Sequence, residues 1–428
     1  MNPPGVKAKP CQMTRLIFLR ILPCIFWISA FITIPIYASF QIPQWTSGNL
    51  CQWDLDIYSR TMHSLEAGHD PYLDGIALQD SVHKNGAIRE DSAVSFTYLG
   101  TPVTLPLLRL LSHLPGWCVT VYWLLYAAAA LAQLWVCMQF GEENERIFLA
   151  LLAPAAAFFP GLLQSVIILG GNIAYIIYGL VLLAALYGWR RGRWGWFYAA
   201  VLIVSCFKPP ELTLLAIPIL SARRQWLPAS VTAAAGVAAF AVQPLLWPAY
   251  FHNFLQASDL QFKYNADFGS GPAGVLSMSL YLAHLPYTLV FRTFWTLYVL
   301  YAVPACVLLL YLSRRYFAGA ISQKQWIPIL LCGVILLNPR LIEYDFVPIT
   351  LPMAMIVFRH IVDSAHRIPQ VAIAVTLTVA AGYLNNVSWL ESKWVECLIL
   401  MCVFSLGCWR QLDRSRVTMA VPVPVPVA

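Results

Sequence analysis

Long apolar segments alternate with short polar connections along this chain, and this succession restricts the fold more than any other feature. Charged residues make up only 11% of the sequence, against roughly 25% in an average soluble domain. The sequence therefore predicts an all-α integral membrane protein built as a multi-span helical bundle. Thirteen segments are candidate membrane-spanning helices, some of them short enough to require a broken or protein-buried helix: residues 14–39, 96–113, 117–140, 147–169, 172–188, 194–207, 209–222, 225–250, 287–313, 326–339, 345–359, 369–386 and 394–410.

The basic residues predict the orientation of the chain. Seventeen of the 27 Lys and Arg residues lie in short segments that we assign to one side of the membrane, and the positive-inside rule makes that side cytoplasmic. Both termini are then cytoplasmic in a cell (inner) membrane, and the net charge of +7 needs no nucleic-acid partner. Two cytoplasmic termini require an even number of spans, so we expect about twelve. One of the thirteen segments therefore does not cross. The two candidates are 96–113 and 147–169, which Gly and Pro interrupt, and the sequence does not choose between them.

A polar stretch at residues 41–98 follows the first apolar segment and holds eight of the 20 acidic residues. The predicted topology places it outside the membrane, together with a second outer loop at 251–286. We interpret residues 1–416 as a single polytopic membrane domain, followed by an extended Val-Pro tail at 417–428. A carboxylate held just outside the lipid is suited to accept a proton from a hydroxyl group. The 41–98 stretch is therefore the candidate catalytic loop.

Helical spacing predicts different surroundings for Asp54 and Asp56, the first two acidic residues of this loop. If residues 54–67 form a helix, Asp54 and Tyr58 share a face and Asp56 points in a different direction. Asp56 then has a structural explanation, an ion pair with Arg60 one turn later. Asp54 also has one, as the residue that caps the start of the helix. Spacing alone leaves the catalytic and the capping role of Asp54 open.

Six short motifs, in one order and on one predicted side of the membrane, resemble those of glycosyltransferase family 87. Members of this family are GT-C type membrane enzymes that use polyprenyl-phosphate sugars, and the best known are mannosyltransferases. The resemblance covers roughly residues 14–358. The motifs are Asp54-Leu55-Asp56-Ile57-Tyr58, Gly68-His69-Asp70-Pro71-Tyr72, Phe96-Thr97-Tyr98, Gly170-Gly171-Asn172, Phe207-Lys208-Pro209-Pro210 and Asn338-Pro339-Arg340 with Tyr344-Asp345.

The resemblance implies that Asp54 is the general base of an inverting sugar transfer. The donor would be a polyprenyl-phosphate hexose or pentose, with mannose as the default, and the acceptor a hydroxyl of a lipid or glycan at the outer face. The leaving phosphate needs a cation, for which Arg340 and Lys208 are candidates and Lys263 is the third. The segment 341–345 lacks the His of the mannosyltransferase branch, which leaves the sugar open. Further candidate substrate-binding residues are Asp56, Tyr58, Tyr98, Asn172, Tyr344 and Asp345.

Other interpretations of the same residues remain open. Lys208 can extend to the lipid headgroups, and Arg340 can form a structural pair with Glu343 or Asp345. No Cys/His cluster has zinc-ligand spacing, so we expect no metal site or other cofactor, although a divalent cation is left open. Apart from membrane lipids and the two substrates, no partner is indicated. A transporter or flippase of lipid-linked envelope precursors and a non-catalytic subunit of a polysaccharide assembly complex are the alternative functions.

Overall fold

The computed structural model describes residues 53–84, 98–112, 118–158, 171–265, 268–364, 366–387 and 389–419. All regular structure in these ranges is helical. Three short 3₁₀ segments, Pro102–Thr104, Pro209–Leu215 and Glu343–Ile349, interrupt the α-helices. The α-helices are α1 Trp53–Glu66, α2 Pro71–Lys84, α3 Leu105–Ser112, α4 Cys118–Phe140, α5 Glu143–Phe158, α6 Ala174–Arg191, α7 Gly195–Phe207, α8 Ala216–Ser221, α9 Trp226–Ala241, α10 Gln243–Leu246, α11 Pro248–Asn265, α12 Pro272–Leu282, α13 Tyr287–Phe317, α14 Gln323–Leu336, α15 Thr350–Asp363, α16 Arg367–Val387 and α17 Trp389–Met419.

Four helical stretches in the described ranges are long and apolar enough to cross a membrane. They are Tyr122–Phe140, Trp226–Leu246, Tyr287–Phe317 and Lys393–Asp413. Large apolar side chains on some of these helices face outward: Leu131, Leu227 and Leu245 are 68%, 76% and 81% exposed. An apolar surface of this kind is stable against lipid and costly in water. The structure therefore agrees with the predicted class of all-helical membrane protein.

Several predicted boundaries differ from the observed ones. Helices α11 and α12 occupy most of the predicted second outer loop at 251–286. The segment 96–113 contains an α-helix of only eight residues at 105–112, which rises about 12 Å against a bilayer core of roughly 30 Å. At the other end of the chain, α17 continues to Met419 and so enters the predicted extended tail. The first predicted span, 14–39, lies outside the described residues.

The main core lies between α4, α6, α7, α14 and α15. Helices α4 and α6 approach closely, because Gly179 has no side chain to hold them apart: a Cβ there would lie 2.7 Å from the Cβ of Ala129. Small residues at such contacts are typical of helices packed within a membrane. Helix α14 is buried along nearly its whole length, from Trp326 to Leu336. It therefore forms the centre of the bundle.

A second apolar cluster fixes the position of the predicted catalytic loop. Ile57 of α1, Tyr72 of α2, Leu105 of α3 and Phe254 of α11 are all buried in it. The hydroxyl of Tyr72 also donates a 2.6 Å hydrogen bond to the backbone oxygen of Gly100. Helices α1 and α2 are thus packed against α3 and α11, and this packing holds Asp54 at one end of the main bundle.

Candidate functional site

Asp54 is the second residue of α1 and is partly buried. Trp53 precedes it within the helix. The Asp54 carboxylate reaches across the molecule, where Asn172 Nδ2 donates a 3.0 Å hydrogen bond to Oδ2. The Tyr344 side chain also hydrogen-bonds to this carboxylate. Two residues far apart in the chain therefore orient Asp54.

Asn172 is itself held in place by the start of α6. Its Oδ1 accepts a 2.8 Å hydrogen bond from the backbone N–H of Ala174, and its backbone oxygen accepts one of 3.1 Å from Tyr122. Gly171 precedes it with a φ of 68°, a left-handed conformation that favours glycine. Because Ala174 holds the Oδ1 end of the Asn172 side chain, its NH₂ group faces Asp54.

Aromatic side chains form the wall beside this carboxylate. Tyr58 lies one turn after Asp54, and its ring meets that of Tyr98 edge to face at a centroid distance of 6.1 Å. Tyr98 is buried, and burial raises the pKa of its hydroxyl well above the usual value. Both remain neutral phenols at physiological pH. They can pack against a sugar or an isoprenoid without adding charge.

Lys208, whose charge lowers the pKa of Asp54, belongs to a second polar group. It follows α7 directly, and its ammonium donates a 2.7 Å hydrogen bond to Oδ1 of Asp345, in the 3₁₀ segment before α15. The carboxylate of Glu211 lies 3.9 Å from the same nitrogen. Asp345 and Glu211 are fully buried, whereas about a third of the Lys208 side chain is exposed. The interpretation of Lys208 as a headgroup-directed side chain therefore does not fit.

Tyr178 links the two buried carboxyl groups. Its hydroxyl lies 2.6 Å from Glu211 Oε1 and 2.7 Å from Asp345 Oδ1. One hydroxyl proton serves one acceptor at a time, so the second short contact requires a proton on one of the two carboxyl groups. With that proton, the group of Lys208, Asp345 and Glu211 is electrically neutral. We call Lys208, Tyr178, Glu211 and Asp345 the Lys208 network.

Arg340 lies on the connection between α14 and the 3₁₀ segment that carries Tyr344 and Asp345. Its backbone N–H donates a 3.0 Å hydrogen bond to Asn338 Oδ1, and Asn338 Nδ2 lies 3.5 Å from Glu211 Oε1. The backbone N–H of Ile342 donates to Asp345 Oδ2 at 2.9 Å. The two oxygens of Asp345 accept from Lys208 and Ile342, and the side chain of Glu343, the other predicted partner of Arg340, lies outside the described residues. These hydrogen bonds hold the connection between α14 and the 3₁₀ segment against the Lys208 network.

Burial raises the pKa of Asp54 to about 7. The hydrogen bond from Asn172, the positive charge of Lys208 and the hydrogen bond from Tyr344 oppose this effect without cancelling it. A general base works best when its pKa is close to the working pH. Asp54 therefore combines a proton affinity suited to physiological pH with a defined orientation.

The raised pKa of Asp54 predicts a pH-dependent gain in stability for Asp54→Asn. The folded state binds a proton at Asp54 more tightly than the unfolded chain, whose pKa is near 4. Asp54 therefore destabilises the fold progressively as the pH rises from about 4 to about 7. In detergent at pH 8 we expect Asp54→Asn to unfold at a higher temperature than the wild type, and the difference to shrink as the pH is lowered to 5. A difference independent of pH would contradict the assignment, and Asp74→Asn, at an exposed residue of α2, serves as the control.

The structure brings together most of the residues that the sequence singled out. Asn172 and Tyr344 contact Asp54, Tyr58 packs on Tyr98, and Lys208 pairs with Asp345. Arg340 lies on the segment that carries Tyr344. The side chains of Asp56, Lys263 and Glu343 lie outside the described residues, and with them the predicted Asp56–Arg60 pair. Sequence reasoning missed Tyr122, Tyr178 and Glu211, and it named Asn338 only as part of a motif. Glu211 had a signal, because an acidic residue inside an apolar segment is costly without a function or a partner.

In the described ranges, no group of three or more His, Cys, Asp or Glu side chains is placed to hold a metal ion. Comparisons of the chain with protein families, with curated proteins and with solved structures each find no match. The similarity to glycosyltransferase family 87 therefore rests on the six motifs. Of the residues in these motifs, Asp54 and Asn172 contact each other, and Lys208 and Asp345 belong to the Lys208 network.

Proposed function

We propose that this protein is a GT-C type membrane glycosyltransferase with Asp54 as its general base. It transfers a sugar from a polyprenyl-phosphate donor to a hydroxyl group of a lipid or glycan acceptor, at the outer face of a cell membrane that the chain crosses about twelve times with both termini in the cytoplasm. The observation that carries the proposal is the Asp54 carboxylate, oriented by Asn172 and Tyr344 and with a pKa of about 7.

The chemistry requires one proton transfer and one displacement. Asp54 takes the proton of the acceptor hydroxyl as its oxygen forms a bond to the anomeric carbon. The bond between that carbon and the phosphate oxygen breaks, and the electron pair leaves with the polyprenyl phosphate. Attack from the side opposite the leaving group inverts the anomeric configuration.

Arg340 is the better candidate for stabilising the leaving phosphate. The charge of Lys208 is already balanced by Asp345 and Glu211, at 2.7 and 3.9 Å. The partly buried Arg340 lies on the connection that also carries Tyr344, whose side chain contacts Asp54. Its planar guanidinium can donate two hydrogen bonds to one phosphate group. Lys208 then holds the surrounding segments in place.

Replacement of Arg340 is expected to lower turnover without unfolding the protein. Loss of one oxyanion donor costs about 10²- to 10³-fold in turnover, so Arg340→Ala should show a decrease of this size. Arg340→Lys should recover only part of it, because an ammonium lacks the two-pronged geometry. The measurement is single-turnover transfer by purified protein in lipid. Normal turnover of Arg340→Ala would exclude this role for Arg340.

A transporter or flippase of lipid-linked precursors is the second candidate, and the Lys208 network favours it. Buried ionisable groups beside breaks in apolar helices are typical of transporter substrate sites. Here the 3₁₀ segments Pro209–Leu215 and Glu343–Ile349 are such breaks.

The two candidates differ in what happens to the donor. Purified protein in vesicles, supplied with a polyprenyl-phosphate sugar and acceptor lipids, should release polyprenyl phosphate if it is a transferase. Movement of intact donor between leaflets, with no release of polyprenyl phosphate, would favour the transporter. A non-catalytic subunit of an assembly complex should show neither release of polyprenyl phosphate nor movement of the donor between leaflets.

A further inference from the structure

A cavity of about 740 Å³ lies at the opposite end of the bundle from Asp54. It is bordered by the beginning of α14, at Ser322 and Gln325, and by the end of α15, at Arg359 and Asp363. The far ends of the same two helices lead to Arg340 and Asp345. Helix α14 alone separates the two regions by about 20 Å. The cavity is therefore distinct from the site described above.

Two pairs of charges in the cavity wall neutralise one another. Arg359 Nε lies 2.8 Å from Glu145 Oε1, and the same guanidinium donates to the backbone oxygens of Lys324 and Phe140. Arg410 pairs with Asp363. These two partly buried arginines build the wall, and their charges are already balanced.

Three further cationic or titratable groups line the cavity and, among the described residues, lack an acidic partner. They are the ammonium of Lys324, the imidazole of His366 and the guanidinium of Arg367, whose Nε donates to the backbone oxygen of Ser364 at 3.1 Å. The exposed carboxylate of Glu142 is the one lining acid outside the two pairs. Arg367 also begins α16, so the positive end of that helix's dipole adds to the potential. The cavity therefore favours an anion.

The apolar part of the lining indicates that this anion carries hydrocarbon. Ile329 and Ile356 are buried in the inner wall, and Ile368, next to Arg367, is 80% exposed. A ligand with its charge near Lys324 and Arg367 can extend a chain past Ile368 toward the lipid. The volume is within the usual range of roughly 300–1,000 Å³ for small-molecule sites.

From these contacts we infer that the cavity is a binding site for a phosphate-bearing lipid. The phosphate lies between Lys324 and Arg367, with Gln325 and Ser322 as neutral donors, and the acyl chains leave along α16. The site is separate from sugar transfer and does not depend on the function proposed for Asp54. Its recognition element, a phosphate group, is shared with soluble phosphates, so the two sources must be distinguished.

The test measures binding of dioctanoyl-phosphatidic acid to the full-length protein in detergent by native mass spectrometry. We expect Lys324→Gln/Arg367→Gln to weaken binding by at least about 10-fold, because charge-assisted hydrogen bonds to phosphate are among the strongest polar contacts. The matched control is Arg191→Gln/Arg193→Gln, which removes the same charge from exposed residues of the α6–α7 turn, outside the cavity. The control variant should bind within about 2-fold of the wild type.

Two neutral or soluble probes complete the test. Dioctanoylglycerol, which lacks the phosphate, should bind at least about 10-fold more weakly, and inorganic phosphate should also bind more weakly because it buries no acyl chain. Equal binding of phosphatidic acid to the cavity variant and to the control variant would overturn the inference. Inorganic phosphate binding as tightly as the lipid would also overturn it, in favour of a soluble ligand.

Discussion

Asp54→Asn is expected to reduce sugar transfer by at least about 100-fold while leaving the protein folded. General-base catalysis contributes roughly 10²- to 10⁴-fold, and an amide cannot take the acceptor's proton. The asparagine Oδ1 can still accept the hydrogen bond that Asn172 now donates to Asp54, so the local structure should persist. The measurement is transfer from a polyprenyl-phosphate sugar by purified protein in lipid, with expression and thermal unfolding followed in parallel.

Two variants control for a general effect of removing a carboxylate near the membrane surface. Asp74→Asn changes an exposed residue of α2 that accepts a 2.6 Å hydrogen bond from Ser64. Asp56→Asn changes the residue that helical spacing directs away from Asp54. Asp74→Asn should keep most of the activity, since exposed polar pairs contribute at most about 1 kcal/mol. Asp56→Asn should also keep most of it, because Asp56 is not the proposed base. An active Asp54→Asn protein would exclude the mechanism, and loss at Asp56 alone would place the base on the other face of α1.

Lys208→Met is expected to lower the free energy of unfolding by about 3–5 kcal/mol, the usual cost of leaving a buried charge without its partner. Asp345 is fully buried and Lys208 Nζ lies only 2.7 Å from it, so the remaining carboxyl group would have to be protonated or hydrated. Transfer activity should fall as well, because Lys208 is one of the charges that lower the pKa of Asp54. Denaturation in detergent, at fixed pH, measures the first effect.

A double variant separates loss of the pair from loss of packing. Lys208→Met/Asp345→Asn should be less destabilised than Lys208→Met alone, because the second change removes the unpaired charge. Lys208→Arg retains the charge and should lie close to the wild type in stability. If Lys208→Met unfolds like the wild type, the ion pair contributes nothing to the fold. If the double variant is the less stable one, the effect of Lys208 is packing.

The membrane class and the candidate residues followed from the sequence because they depend on composition and on order along the chain. The length of an apolar segment can be read from the local sequence. The described helices at 122–140, 226–246, 287–317 and 393–413 are long and apolar enough to cross a membrane. The helix around Asp54 and Tyr58 was also predicted, one residue from its observed start. Its spacing placed Asp54 and Asp56 on different faces without any tertiary information.

The partners of these residues could not be predicted, because they come from distant parts of the chain. Asn172 reaches Asp54 over 118 positions, and Lys208 reaches Asp345 over 137. Hydrogen bonds at such separations depend on helix packing, which no local pattern encodes. The same reason explains why the helices within 251–286 were not predicted from the sequence. The apolar face of α11 packs against α1 to α3, through Phe254 and Ala257.

Sequence by itself determined that the chain is helical and apolar, whereas the resemblance proposed Asp54 as the base and left Arg340, Lys208 and Lys263 as candidate cations. Only the tertiary structure decided between alternatives that the sequence left equal. It gave Asp54 a hydrogen-bond partner in Asn172, paired Lys208 with Asp345 and added Tyr178 and Glu211 to the site. The physical reason is that a carboxylate's chemistry depends on its burial and its hydrogen-bond donors. Those are properties of the packed bundle, whereas the residue types and their order are properties of the chain.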